Sequence, residues 1–130
     1  MNIKDELMIL LHNSYAPYSN YRVASIVLMQ DGTYFKGVNV ENASYGATIC
    51  AERVAILSAV TAGYKKGDFK RLYVMTDSDK LASSCFLCRQ VIVEFFDKEA
   101  EVIFSNRLGE AKRYFVKELC PVPFDSEDLK

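Results

Sequence analysis

The chain has 130 residues, with 16 basic and 17 acidic side chains and a net charge of −1. That length suits one domain over residues 1–130 with one core. The balanced charge leaves no electrostatic footprint for nucleic acid or an anionic membrane surface, so neither is expected as a partner. The longest apolar run, near 22–29, is broken by Arg22 and Ser25 and is too short to cross a bilayer. The opening MNIKDELMILLHNSY carries Asp5 and Glu6 where a signal peptide needs basic residues. A cytoplasmic, reducing setting is therefore expected. There, closely spaced cysteines are more often metal ligands or catalytic groups than disulfides.

In chain order, Ile3, Leu7, Leu10 and Leu11 have the spacing of an amphipathic helix over 3–12. YAPYSNY (15–21) is a loop, with Pro17 stopping the helix. RVASIVLM (22–29) reads as a buried strand, Asp31-Gly32 as a hairpin turn, and TYFKGVNV (33–40) as the returning antiparallel strand. ENASYGATI (41–49) is a loop. CAERVAILSAVTA (50–62) has the composition of a buried helix ended by Gly63. FKRLYVMT (69–76) is a third strand, and CFLCRQVIVEFF (85–96) a helix with Val91, Ile92 and Phe95 on one face. EVIFS (101–105) and KRYFV (112–116) are short strands. A parallel pair needs a crossover of about a dozen residues or more, and the connection 106–111 is too short for one. Strands four and five are therefore expected to pair antiparallel. The tail is a turn followed by one helical turn from Ser126. The whole reads as a mixed five-stranded sheet sandwiched by helices.

The chemistry-bearing residues are few. There are 4 cysteines, Cys50, Cys85, Cys88 and Cys120, and 1 histidine, His12. Cys50 and Cys85 each open a predicted helix, and Cys88 lies one turn into the second. Helix N-termini carry free N–H groups and partial positive charge, which favour the thiolate that binds metal. These three cysteines can converge on one Zn²⁺, leaving a fourth tetrahedral position open, as in catalytic zinc sites. Glu52, in the first helical turn, can reach a water on that ion as proton carrier. Three thiolates around Zn²⁺ leave one net negative charge, which Arg53 can offset by hydrogen bonding to sulfur. A lone C-x-x-C also suits a redox dithiol or a buried pair. The combination with C-x-E at a second helix start favours the metal. His12 reads as a partly exposed helix-end residue, Cys120 as a packed thiol, and DSEDLK as a solvated tail.

CAERVAI (50–56) with CFLCRQVIVEF (85–95) resembles the zinc-dependent cytidine deaminases, specifically the small homotetrameric kind. YAPYSNYRV (15–23), GVNVENASYG (37–46) and ELCPVPFDSEDL (118–129) resemble further segments of that family in the same order. The resemblance implies a three-layer α/β/α cytidine-deaminase-like fold whose mixed sheet of five strands ends in an antiparallel strand. It implies one Zn²⁺ per subunit, held by Cys50, Cys85 and Cys88. The implied reaction is hydrolytic deamination at C4 of cytidine and 2′-deoxycytidine, giving uridine, 2′-deoxyuridine and ammonia in pyrimidine salvage. Glu52 takes the water proton, protonates N3 and helps ammonia leave. Asn39 and Glu41 bind the ribose 3′-hydroxyl, Tyr21 stands where a Phe usually stacks on the base, and the Ala51 N–H holds the base O2. Tyr45 and Phe124 match positions that close neighbouring subunits' sites. Without the family pattern, Asn39 and Glu41 read as a capped turn, and Tyr21 and Phe124 as packing residues.

The sequence departs from the family pattern in places. The usual P-C-G-x-C reads Ser84-Cys85-Phe86-Leu87-Cys88. Serine gives backbone freedom where proline would stiffen. Phe86 would be strained if its position required positive φ, and fits and packs outward if it stands in the first helical turn. Ala24 and Ser25 stand where the family tends to have V-G-A-A. The competing readings are an aminopyrimidine deaminase of the blasticidin S type, a nucleic-acid editor, which the charge and the short final connection oppose, and a catalytically impaired zinc-binding relative.

Overall fold

The computed structural model describes residues 2–130. Helix α1 (Ile3–Leu11) is capped by Asn2, whose side chain accepts from the Asp5 amide, and it ends at exposed His12. The hairpin β1 (Val23–Met29) and β2 (Tyr34–Val38) follows. Its turn carries Gly32 at φ 88°, a conformation glycine adopts without steric cost. Helix α2 (Ala51–Thr61), strand β3 (Phe69–Thr76), helix α3 (Phe86–Phe95), strand β4 (Phe96–Ser105) and strand β5 (Ala111–Phe115) come next. A short helix α4 (Val116–Leu119) and a 3₁₀ turn at Ser126–Leu129 close the chain.

The sheet order is β2-β1-β3-β4-β5. β1 pairs antiparallel with β2 and β3, β3 pairs parallel with β4, and β4 pairs antiparallel with β5, as the short final connection requires. Strands β2, β3 and β4 thus run in one direction, and α2 and α3 both start from the same edge of the sheet. Both faces are covered, which makes a three-layer α/β/α arrangement. Leu7 and Leu11 of α1 pack on Ala24, Ile26 and Met75. On the other face Ala55, Ile56 and Ala59 of α2 and Ile92 of α3 pack on Val27, Leu72, Val74 and Val102. Burying one such aliphatic side chain is worth about 1.5–3 kcal/mol. This two-sided burial is why 22–29 lacks a polar face.

Gly37 of β2 sets how closely α2 can lie. A Cβ there would come within 2.5 Å of the Ala51 carbonyl oxygen and the Ala55 nitrogen. Only a residue without a side chain lets the first turn of α2 rest on β2.

Three expectations need correction. β4 begins at Phe96 rather than 101, so the helix expected over 85–96 runs directly into the strand. Phe96 is already extended and pairs with Phe69; the ladder then skips to Arg71–Glu101. The polar stretch 97–100 bulges out between these pairs, which hid the strand's true start. Helix α4 was not expected, because its four residues are too few to show a period, yet Val116 and Leu119 enter the core. The loop expected over 41–49 contains a 3₁₀ turn at Tyr45–Ala47.

Candidate active site

The N-termini of α2 and α3 meet beyond the C-terminal end of β3. Cys50 and Cys85 are the N-cap residues, both extended, and Cys88 is buried one turn into α3. Their sulfurs all lie within 4.8 Å of one another, with Cys50 and Cys85 3.7 Å apart. Zn–S bonds of about 2.3 Å in a tetrahedron place sulfurs about 3.8 Å apart, so this donor set fits one Zn²⁺. A disulfide, with an S–S bond of about 2.05 Å, does not describe it: all four cysteines are free.

The charges around the sulfurs suit thiolates. The Arg53 guanidinium donates to Cys50 Sγ at 3.5 Å, and the Cys88 amide donates to Cys85 Sγ at 3.4 Å. The neighbouring Cys88 thiol, with Arg53 and Cys85, brings the Cys50 pKa down to about 5 against the opposing cost of burial. Cys88 is pushed up in turn, because its thiol bonds to Cys50 and is itself buried. A charge on Cys50 thus disfavours a second charge on Cys88, because the two sulfurs are close neighbours. Contact with Cys50 raises the Arg53 pKa, and the Arg53 Nε is buried without a partner.

Glu52 is only 4% exposed and lines the same cleft as Cys50 and Cys85. Burial raises its carboxyl pKa, a bond from Ser84 lowers it, and the nearby Cys50 raises it. Ser84 Oγ donates to Glu52 Oε2 at 2.7 Å. The cleft, of about 250 Å³, is also lined by Tyr21, Val23, Asn39, Glu41, Val74 and Thr76. Two of the three sulfur-bearing residues, a buried carboxylate and the Tyr21 ring stand around one opening.

Comparison with known proteins agrees with this geometry. Residues 4–105 match the cytidine and deoxycytidylate deaminase zinc-binding region. The chain belongs to the cytidine and deoxycytidylate deaminase family. It is 40% identical over 116 residues to the cytidine deaminase of Sporosarcina psychrophila, covering 89% of this chain and 84% of that one. It is 42% identical over 117 residues to a probable cytidine deaminase of Dictyostelium discoideum, covering 89% and 77%. The 1.6 Å crystal structure of cytidine deaminase from Burkholderia pseudomallei superposes with a TM-score of 0.89 at 36% identity, covering 95% of this chain and all of that one. The matched region of the family is a zinc-binding one, and the Cys50, Cys85 and Cys88 cluster is compatible with one zinc ion.

Within this deaminase fold the remaining candidate residues divide into two groups. Tyr21, Asn39 and Glu41 reach the cleft, and Ala51 sits buried at the first position of α2, where a helix N–H has no partner within its own helix. Asn39 also holds the backbone: its Oδ1 accepts from the Val23 amide at 3.0 Å and from Ser14 Oγ, and its Nδ2 donates to the Tyr21 carbonyl at 2.8 Å. Glu41 accepts from the Tyr18 and Ser19 amides at 2.9 and 3.1 Å and from the Ser19 hydroxyl. Tyr45 and Phe124 stand outside the cleft of their own chain, 77% and 58% exposed. Tyr45 packs edge-on against Tyr18, and the Phe124 carbonyl accepts from Gln90 Nε2.

At Phe86 the reading as a first-turn residue that packs outward holds; at Ser84 the expected freedom is not seen. Phe86 is the first residue of α3 with no positive φ, so it is unstrained; it points outward under the Arg89 guanidinium. Ser84 does not loosen the approach to Cys85. It is buried, and its carbonyl accepts from Arg89 Nε at 2.9 Å. Sequence reading missed Ser84 as a partner of Glu52, and missed Thr76, whose buried hydroxyl has no partner beside the cleft. Proximity in sequence signals neither: Ser84 is 32 positions from Glu52, and Thr76 merely ends a strand.

Proposed function

We propose that this chain is a hydrolytic deaminase converting cytidine and 2′-deoxycytidine to uridine and 2′-deoxyuridine with release of ammonia. The observation that carries the reading is a buried carboxylate, Glu52, in one cleft with Cys50 and Cys85, whose sulfurs are 3.7 Å apart and lie within 4.8 Å of the Cys88 sulfur. Zinc bound by Cys50, Cys85 and Cys88 makes water acidic enough, with a pKa toward about 7, to supply a nucleophile at neutral pH. Glu52 accepts a proton from water, delivers it to ring N3 and assists the departing amine. Burial raises the Glu52 carboxyl, the direction that suits a group which both takes and returns a proton. The Ala51 N–H at the start of α2 receives the base O2, and Tyr21 supplies a face for stacking. Asn39 and Glu41, on the loop edge of the cleft, take the ribose 3′-hydroxyl. Arg53 offsets the thiolate charge.

The chain acts as one domain over residues 1–130 and assembles as a homotetramer. Tyr45 and Phe124 then complete sites on neighbouring subunits, a role supported by their exposure outside their own cleft. The setting is the cytoplasm, where thiolate ligands stay reduced, and the role is pyrimidine salvage. No described helix is long and apolar enough to cross a membrane. The test is incubation of purified protein with cytidine, following loss of cytidine absorbance and release of ammonia alongside zinc content. One zinc per chain with turnover is expected. Zinc without turnover of any nucleoside overturns the assignment, and turnover of blasticidin S alone redirects it.

A further inference from the structure

Glu52 must present one oxygen to the substrate while buried in a wall that would otherwise leave its side chain free to rotate. Among the described residues, the only side chain that bonds to its carboxylate is Ser84, through Oε2 at 2.7 Å. Ser84 is itself held. Arg89, one turn into α3, donates from Nε to the Ser84 carbonyl at 2.9 Å, from one terminal nitrogen to Ser83 Oγ at 2.8 Å, and from the other to the Leu119 carbonyl at 2.7 Å. The hydroxyl therefore projects from a segment that one guanidinium ties to the end of α4. Ser84 is 4% exposed, so water does not compete for the bond.

We infer that Ser84 is a positioning residue for deamination: its hydroxyl anchors Oε2 of Glu52, so that the other oxygen faces the cleft. This rests on the deaminase reading given above. The family pattern usually carries proline at this place, which has no hydroxyl, so the device belongs to this chain rather than to the shared zinc motif. Orientation of a proton-transfer group within reach of its target is worth rate, because misaligned geometry is corrected at the expense of the barrier.

Ser84→Ala tests it. The expected result is a fall in kcat of about 10- to 100-fold, the range for one hydrogen bond to a charged group. KM for cytidine should stay within about 3-fold, because the bond orients a proton carrier and not the nucleoside. Zinc stoichiometry should not change. Ser84→Thr, which keeps the hydroxyl, should recover most of kcat. Ser84→Cys, nearly isosteric with a weak donor, should fall between and serves if the alanine variant does not fold. An unchanged kcat in Ser84→Ala overturns the inference, as does a loss that tracks loss of zinc. Crystal structures of wild type and Ser84→Ala supply a readout independent of turnover. The Glu52 carboxylate should leave its wild-type position in the variant, and if it stays the inference fails. If the unmodified enzyme deaminates no nucleoside, the deaminase reading fails instead, while the structural comparison still judges the contact.

Discussion

At the floor of the cleft, Cys50, Glu52 and Cys85 stand at the starts of two helices that pack on the sheet, with Cys88 buried one turn into the second. Along its wall, Tyr21, Asn39 and Glu41 stand on the segments between regular elements. The floor is positioned by helix geometry and by Gly37, which lets α2 rest on β2. The wall is positioned by side chains bonding to distant backbone, Asn39 to Tyr21 and Val23, Glu41 to Tyr18 and Ser19. Floor residues therefore stand on a scaffold that others build. Wall residues build their own scaffold while lining the site, so damage to them should affect stability and affinity together.

The comparison can be broken most sharply at the metal. Cys88→Ser, or zinc removal by a strong chelator, should reduce turnover to background and lower the melting temperature, measured by metal analysis and thermal denaturation. Readdition of zinc should restore only the chelated wild type. Next, Glu52→Gln should lower kcat by about 10²- to 10⁴-fold, the usual worth of a general acid–base group, while zinc content stays at one per chain. Equal loss of zinc in that variant would place Glu52 among the scaffold groups and erase the distinction.

Asn39→Ala should behave as a wall residue. Removing its side chain strips the Val23 amide and Tyr21 carbonyl of partners and should cost about 1–3 kcal/mol in urea denaturation, with KM rising alongside. A variant of full stability with raised KM alone would show that Asn39 is a ligand contact and no strut. The smallest effect concerns pH. The Ser19 hydroxyl, with the Ser19 and Tyr18 amides, holds the Glu41 carboxyl below its ordinary 4.5. For an acid with a depressed folded pKa, the stabilisation is complete above the unfolded value and disappears as pH falls through the folded one. Amide exchange at Tyr18 and Ser19, corrected for its intrinsic pH dependence, should therefore accelerate as pH falls below the ordinary carboxylate range, and Glu41→Gln should remove that step.

Patterns confined to a few residues carried the sequence reading far. The hairpin at Asp31-Gly32, the antiparallel β5 and the two cysteine-headed helices all follow from spacing, turn chemistry and connection length. The start of β4 did not, since the bulge at 97–100 has no hydrophobic alternation to mark it. Helix α4 did not, since one turn has no period and exists because Val116 and Leu119 find a core to enter.

By itself the sequence determined which chemical groups are present and which sit at helix starts: three sulfurs, one carboxylate and a guanidinium beside them. Tertiary structure decided that they meet. β2, β3 and β4 run in the same direction, so α2 and α3 begin at one edge of the sheet and bring Cys50 to Cys85 across 35 positions of chain. The same closure sets Ser84 against Glu52. Helix starts are local because backbone geometry repeats every few residues, whereas a contact between distant segments exists only once the sheet has chosen its order.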